Sequence, residues 1–371
     1  MKRIYTITFH ASYNYGSNLQ AYALQEYVKK ITKNNCDYKI INLRKKEQKE
    51  LYENFFEKKG WKNFVKKILF HKEKQSLQLK QQYFETFINK YLNITQEYES
   101  MEEFPENILN GDYYISGSDQ IWNLQANDFD WANYLEFVKS GRKISYAASF
   151  GPKDQKWNLN EKERVTNDLL QYDFLSVREQ GSFNNVKKLT NITPQINIDP
   201  TMLLKKEDWI RIIDDKPILN EKYILLYYLK YTEEICEIAQ EVSKILKMPV
   251  YITRLEGFKE NRYRFNKKLD VGPLEFLNIL NNASLVLSSS FHGTVFSILL
   301  NKPFFAINGS KDYRINTLLE KTDLKNRTIE KNNILTRCND AFNIEFTKSE
   351  NKIIEERNKS ENFLKKALDI K

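Results

Sequence analysis

The sequence predicts an α/β protein built from two Rossmann-like, doubly wound domains, and three observations carry that reading. Short runs rich in β-branched and aromatic residues alternate with helix-period segments along the chain, the signature of parallel sheets covered by helices. At 371 residues the chain exceeds one ordinary domain. The alternation breaks once, at a polar stretch over 205–222 that contains Pro217, and then resumes.

In chain order, RIYTITF (3–9) reads as the first strand and ends on Asn14, Tyr15, Gly16, Ser17 and Asn18. A helix follows, with Leu19, Tyr22, Ala23 and Tyr27 on one stripe, and DYKIINL (37–43) is the next strand. Strand, polar turn, helix and strand make a βαβ unit. Residues 44–92 are charged and read as a helical insertion. YYISGSDQ (113–120), KISYAAS (143–149), FLSVRE (174–179) and INIDPTMLL (196–204) are the remaining strand-like runs of the first half. The first domain is therefore expected over 1–204 and the second over 205–371. In the second half, KYILLYYL, PVYIT, SLVLSS and PFFAIN alternate with helix-period segments, and the polar segment 349–368 forms a C-terminal helix. Its apolar positions are Ile353, Ile354, Phe363, Leu364 and Leu368.

Composition excludes several classes. No run approaches the ~20 apolar residues of a spanning helix, and no signal peptide is recognisable. Cys36, Cys236 and Cys338 are far apart and odd in number, so neither a disulfide framework nor a cysteine zinc site is expected, and the protein is placed in the cytoplasm. The formal charge of +9 admits anionic partners, but it also follows from a Lys-, Asn- and Ile-rich composition. No nucleic-acid-binding signature accompanies it, and no nucleic-acid partner is expected. No dinucleotide fingerprint, P-loop, nucleophile elbow or metal-ligand spacing occurs, so no metal and no cofactor are expected.

In open α/β sheets ligands bind beyond the carboxyl ends of the strands. Five polar clusters occupy such positions: 14–18; Gly117, Ser118, Asp119 and Gln120; Arg178 and Glu179; Asp199, Pro200 and Thr201; and 288–294. In the last, a buried strand runs through Ser288, Ser289 and Ser290 into Phe291, His292, Gly293 and Thr294. A helix opening there favours an anion, and His292 adds a group that titrates near neutral pH. The bland alternative is a capping or core histidine. Arg178 either grips an anion in bidentate fashion or forms a salt bridge to Glu179 or Asp199. Asp119 either caps the next turn or acts as an acid–base group, and Asp199 before Pro200 suits a turn. His10 ends the first strand and is a candidate lining residue; His71 lies in a basic helix and is expected to be solvated.

These clusters, in this order, resemble the polysaccharide pyruvyl transferase family. TFHASYNYGSNLQAYALQ, GSDQIWN, ISYAASFG, LSVREQ, DPTMLL, SSSFHGTVFSILLNKPF and YRINTLLEKTDLKNR carry the resemblance, leaving mainly 44–92 unmatched. It implies a GT-B-like fold, with an acceptor-side first domain and a donor-side second. It implies transfer of a pyruvyl group from phosphoenolpyruvate to a sugar of a bacterial surface polysaccharide, or its lipid-linked precursor, forming a ketal. By motif match His292 is the active-site histidine, Arg178 binds the donor's anionic groups and Asp119 sits near the acceptor. Asn14, Tyr15, Gly16, Asn18, Gly117, Ser118, Gln120, Ser289, Ser290, Gly293 and Thr294 are the expected substrate-binding residues. Ser289 and Ser290 depart from the Asp or Arg often found before the family's His-Gly pair, so a cation beside His292 must come from elsewhere. Arg178, Arg254 and Lys302 are the candidates. Two other readings remain: a glycosyltransferase using a nucleotide sugar, and a non-catalytic binding member.

Residues 55–74, FFEKKGWKNFVKKILFHKEK, form a basic amphipathic pattern. Trp61, Phe64, Val65, Ile68 and Leu69 make the stripe, and Lys58, Lys59, Lys62, Lys66 and Lys67 lie largely off it. Such a helix either lies on anionic lipid at the inner face of the membrane or packs on the first domain.

Overall fold

The computed structural model describes residues 1–370 except 53–57, 62–63, 65–66, 69, 153–154 and 255–258. The chain divides into two compact units: Met1–Tyr52, Ile88–Leu204 and Ile354–Lys371 in one, Glu53–Phe87 and Lys205–Ile353 in the other. Two segments therefore fall in the unit opposite to the one expected from their place in the chain. The helix Thr347–Ala367 carries its C-terminal part into the first unit. There Phe363 packs against Tyr146 and Phe174, Ser360 Oγ accepts from the amide of Ile198 at 3.1 Å, and Arg357 donates to the carbonyl of Met202 at 2.9 Å. Phe363, Leu364 and Leu368 are buried there as their spacing predicts, but Ile354 is exposed. The first part of the helix Lys74–Tyr91 joins the second unit, where Lys80 Nζ donates to the carbonyl of Thr253 at 2.9 Å. Linear position carries no trace of either docking.

The first unit holds strands β1 (Lys2–Ile7), β2 (Cys36–Leu43), β3 (Ile94–Tyr98), β4 (Tyr113–Ser116) and β5 (Arg142–Ser145). They pair in the order β3-β2-β1-β4-β5, all parallel. Two short strands, β6 (Ser176–Val177) and β7 (Gln195–Ile196), continue beyond β5 through the bridges Ile144–Phe174 and Ala148–Val177. The central strands are buried on both faces, as parallel strands under helices must be. Asn14 starts the first helix, Tyr15–Ile31: its Oδ1 accepts from the amide of Gly16 at 3.0 Å, and Lys29 and Lys30 oppose the dipole at the far end.

The second unit repeats the plan with β8 (Ile224–Tyr227), β9 (Val250–Ile252), β10 (Asn266–Lys267), β11 (Leu285–Ser288), β12 (Phe304–Ile307) and β13 (Thr328–Ile329). Their order is β10-β9-β8-β11-β12-β13, again parallel. Ile224, Leu226, Leu285, Leu287, Phe305 and Ile307 supply a core packed by Ile238, Ala239 and Val242 of the helix Glu233–Leu246. In each unit the winding reverses once, between β1 and β4 and between β8 and β11. Such a switch point opens a crevice at the carboxyl ends of the strands. Among the described residues no helix is long and apolar enough to cross a membrane.

Candidate functional site

Both switch points carry the polar clusters singled out from the sequence. In the first unit β4 leads directly into Gly117, Ser118 and Asp119. Gly117 has φ +124°, and a Cβ there would stand 2.3 Å from the carbonyl oxygen of Tyr146, so no other residue fits. Ser118 is fully buried and spends its hydroxyl on the carbonyl of Ala147 at 2.7 Å. Both residues thus build the turn that presents Asp119. The Asp119 carboxylate accepts from Ser17 Oγ at 2.7 Å, from the amide of Gln120 at 2.9 Å and from Arg178 Nη2 at 3.5 Å. It is oriented from three sides rather than capping a helix. Gln120 remains half-buried beside it.

Arg178 is held inside this cluster. Its Nη1 donates to Asp199 Oδ2 at 2.9 Å, and its Nε lies 3.6 Å from Glu179 Oε2. Asp199 in turn accepts from the amide and hydroxyl of Thr201 at 3.0 and 2.7 Å, making the turn its Pro200 suggested. Glu179 accepts from Ser149 Oγ at 2.9 Å and from Ser182 Oγ. One guanidinium, 4% exposed, is surrounded by three carboxylates. The salt-bridge alternative for Arg178 is thus formed, with Asp199 and Glu179 as partners and Asp119 also within reach. A cation whose donors face internal carboxylates also orients Asp119.

At 14–18, Tyr15, Gly16, Ser17 and Asn18 form the buried first turn of the helix Tyr15–Ile31, and Asn14 before it is half-buried. Asn18 Nδ2 donates to the carbonyl of His10. The ring nitrogens of His10 lie 3.1 Å from the carbonyl of Thr8 and 2.9 Å from Asn42 Oδ1. His10 is thereby pinned at the end of β1. There a cavity of about 310 Å³ opens, lined by residues within 7–10, 41–48 and 127–133. Sequence reasoning found His10 but not the partners across this cavity, because 127–133 follow no strand and carry no motif. The nearest sequence signal was their density of Asn, Asp and aromatic residues.

In the second unit β11 ends at Ser288, and the helix Phe291–Leu299 begins after Ser290. Ser288 Oγ accepts from the amide of Ser290 at 3.0 Å, and the carbonyl of Ser290 accepts from Thr294 Oγ1 at 3.0 Å. Thr294 is thus a brace for the first turn. Ser290 makes no side-chain cap bond, and Ser289 is half-buried. His292 is 6% exposed, its ring edge-on to Phe291 with centroids 5.2 Å apart. Gly293 has a packing reason to be glycine: a Cβ would lie 2.3 Å from Ser288 Oγ and 2.7 Å from Tyr227 Cδ1. Of the two other cation candidates, Arg254 follows β9, at the same sheet edge as His292. Lys302 follows the far end of the helix and precedes β12, so it sits at the opposite edge. Lys302 is therefore corrected out of the site.

Of the basic stretch, Val65, Leu69, Lys62 and Lys66 lie outside the described residues. Trp61, Phe64 and Ile68 are exposed, with the rings of Trp61 and Phe64 stacked. His71 is exposed.

A model of the polysaccharide pyruvyl transferase family matches residues 14–311. Among curated proteins no sequence matches. Solved structures share the fold, among them these three. The S. aureus MnaA–UDP co-structure is 13% identical, with TM-score 0.57 over 100% of this chain and 98% of that one. UDP-N-acetylglucosamine 2-epimerase from Rickettsia bellii is 12% identical, with TM-score 0.56 over 100% and 96%. UDP-GlcNAc 2-epimerase from Neisseria meningitidis, bound to UDP-GlcNAc, is 12% identical, with TM-score 0.54 over 99% and 100%. These likenesses are of fold, and they place the chain in the GT-B class expected from its sequence.

Proposed function

The chain belongs to the polysaccharide pyruvyl transferase family, and from that premise we propose that it transfers pyruvate from phosphoenolpyruvate to two hydroxyls of a sugar, closing a cyclic ketal. The observation that supports this reading most is where the two candidate proton-transfer groups stand. Asp119 follows β4 and His292 follows β11, each at the switch point of its own sheet.

The chemistry needs an acid, a base and anion stabilisation. One sugar hydroxyl adds to C2 of phosphoenolpyruvate while the methylene carbon gains a proton. The C2–O bond then breaks and phosphate leaves with the bonding pair. The second hydroxyl adds to C2 and loses its proton, so the products are one ketal and one phosphate. His292 acts as acid toward the methylene or the departing phosphate, and Asp119 acts as base toward the hydroxyl. Three held donors fix the orientation of the Asp119 carboxylate, so that it can be presented to a hydroxyl without reorganising. The donor's anions are assigned to the N-terminus of the helix Phe291–Leu299, with Ser289, Ser290 and Arg254. Arg178 serves as a positioning residue for Asp119. The reaction as written calls on no cofactor.

The acceptor is assigned as a polysaccharide unit or its lipid-linked precursor. The exposed Trp61, Phe64 and Ile68 beside Lys58, Lys59 and Lys67 supply a face for anionic lipid. Flotation with anionic vesicles at low salt tests this: co-flotation is expected, and none would remove the membrane contact. The fold's likeness to structures holding UDP or UDP-GlcNAc supports one second reading, a nucleotide-sugar transferase. Incubation with phosphoenolpyruvate and a panel of lipid-linked and nucleotide-linked sugars separates the two. Pyruvylated sugar with matching phosphate release is expected. Consumption of a nucleotide sugar with phosphoenolpyruvate untouched would overturn the proposal.

A further inference from the structure

The cavity beside His10 has a lining distinct from that of the His292 helix. Its volume of about 310 Å³ is at the small end of small-molecule sites, room for one ring rather than a chain. Phe9, Ile41, Leu43 and Phe129 give it apolar walls. Its charged lining residues are Lys45, Glu47, Asp128 and Asp130, one cation against three carboxylates. That cation is already committed, for Lys45 is ion-paired with Asp130 and donates to the carbonyl of Phe129 at 3.3 Å. Asp128 is set in place by Tyr52 Oη at 2.5 Å and Gln48 Nε2 at 3.0 Å, leaving carboxylate lone pairs for further donors. Burial and, less strongly, the Asp119 carboxylate raise the Asp128 pKa, so added negative charge is disfavoured there.

The cavity also adjoins the proposed base. Thr8, one of its lining residues, donates from Oγ1 to the carbonyl of Ser118 at 3.0 Å, one residue before Asp119. Carboxylates and amides facing an apolar wall suit a polyhydroxylated ring: hydroxyls donate to the carboxylates while a sugar face lies on Phe129. The same surface repels a carboxylate or phosphate, because like charge opposite a desolvated carboxylate is unfavourable.

We infer that this cavity seats the sugar ring that receives the pyruvyl group, and that it selects a neutral ring over a uronic acid or phosphorylated one. This rests on the proposed transfer to a sugar and adds to it the charge class of the acceptor. The donor, a small polyanion, is excluded from this cavity by the same carboxylates.

Saturation-transfer NMR on the full chain tests the inference with methyl glycosides of neutral hexoses, the corresponding uronic acids and phosphoenolpyruvate, each alone. Neutral rings bind, and uronic acids bind roughly tenfold or more weakly. Asp130→Asn releases Lys45 and narrows that gap by roughly tenfold; Asp128→Ala weakens neutral rings. Thermal unfolding of each variant confirms that it is folded, and Gln48→Ala stands in for Asp128→Ala if that variant does not fold. Equal binding of neutral and acidic rings, or variants that change neither, would overturn the inference. Phosphoenolpyruvate read in the same samples keeps the two ideas apart. If it binds while sugars ignore the cavity variants, only this inference falls. If sugars bind as described and phosphoenolpyruvate does not bind, the donor assignment falls instead.

Discussion

Replacing Arg178 with Met removes a guanidinium from among Asp119, Glu179 and Asp199 while keeping much of its length. In the wild type the cation lies 2.9 Å from Asp199, 3.5 Å from Asp119 and 3.6 Å from Glu179, with its side chain and all three carboxylates at most 6% exposed. Removing one partner of a buried pair leaves uncompensated charge and costs about 3–5 kcal/mol. At ~2–4 °C per kcal/mol for a domain of this size, Tm falls by about 6–20 °C. The penalty is larger at pH 8 than at pH 5, because protons can neutralise carboxylates that have lost their cation. Adding Asp199→Asn removes the carboxylate paired most closely, so the double variant recovers about 1–2 kcal/mol of the loss. Arg178→Lys keeps the charge but not the fork, and falls between Met and wild type. The assay is thermal unfolding followed by circular dichroism at both pH values. If Arg178→Met unfolds within a degree or two of wild type at pH 8, the guanidinium is not the hub of this cluster. Its assignment to the donor would then return.

Three other outcomes follow from the same structure. Gly293→Ala places a Cβ 2.3 Å from Ser288 Oγ, a clash worth about 1–3 kcal/mol, partly offset by about 0.5–1 kcal/mol of helix preference; urea titration should show net destabilisation, and a gain in stability would refute the packing role. His292→Asn should lower kcat by ~10²–10⁴ with Tm unchanged, read from phosphate release and thermal unfolding; undiminished turnover would remove His292 as acid. Burial, then the neighbouring Glu136 carboxylate, raises the Asp168 pKa to about 7. A raised folded-state value means that the stabilising protonated form is fully present below about pH 4 and is lost as pH rises toward 7. Asp168→Asn should therefore raise Tm at pH 8 and leave it nearly unchanged at pH 4. Equal effects at both pH values would contradict that sign.

The central strands were legible because both faces are buried, so β1, β4, β8 and β11 read as apolar runs ending in polar turns. β3, Ile94–Tyr98, was not: ITQEY is an edge strand with exposed Gln96 and Glu97, and its order comes from pairing with β2 rather than from its own composition. The two-residue strands β10 and β13 escaped for the same reason. At the site, residue types and their places at strand ends were readable, whereas allegiances were not. Arg178 after a buried strand is compatible with either an anion or a carboxylate, and spacing does not reveal that Asp199, 21 positions away, folds back to pair with it. Gly293 likewise announced a close approach without saying that Ser288 and Tyr227 are what it approaches. The cavity at His10 draws its walls from separated segments, and spacing along the chain does not reveal it.

The most direct test of ketal formation is turnover in deuterated water, with phosphoenolpyruvate as donor and a neutral sugar as acceptor. If the methylene carbon is protonated as the hydroxyl adds, the ketal methyl group carries a single deuterium and phosphate appears in equal amount. An acceptor recovered without a deuterated pyruvyl group, with phosphoenolpyruvate intact, would contradict the account.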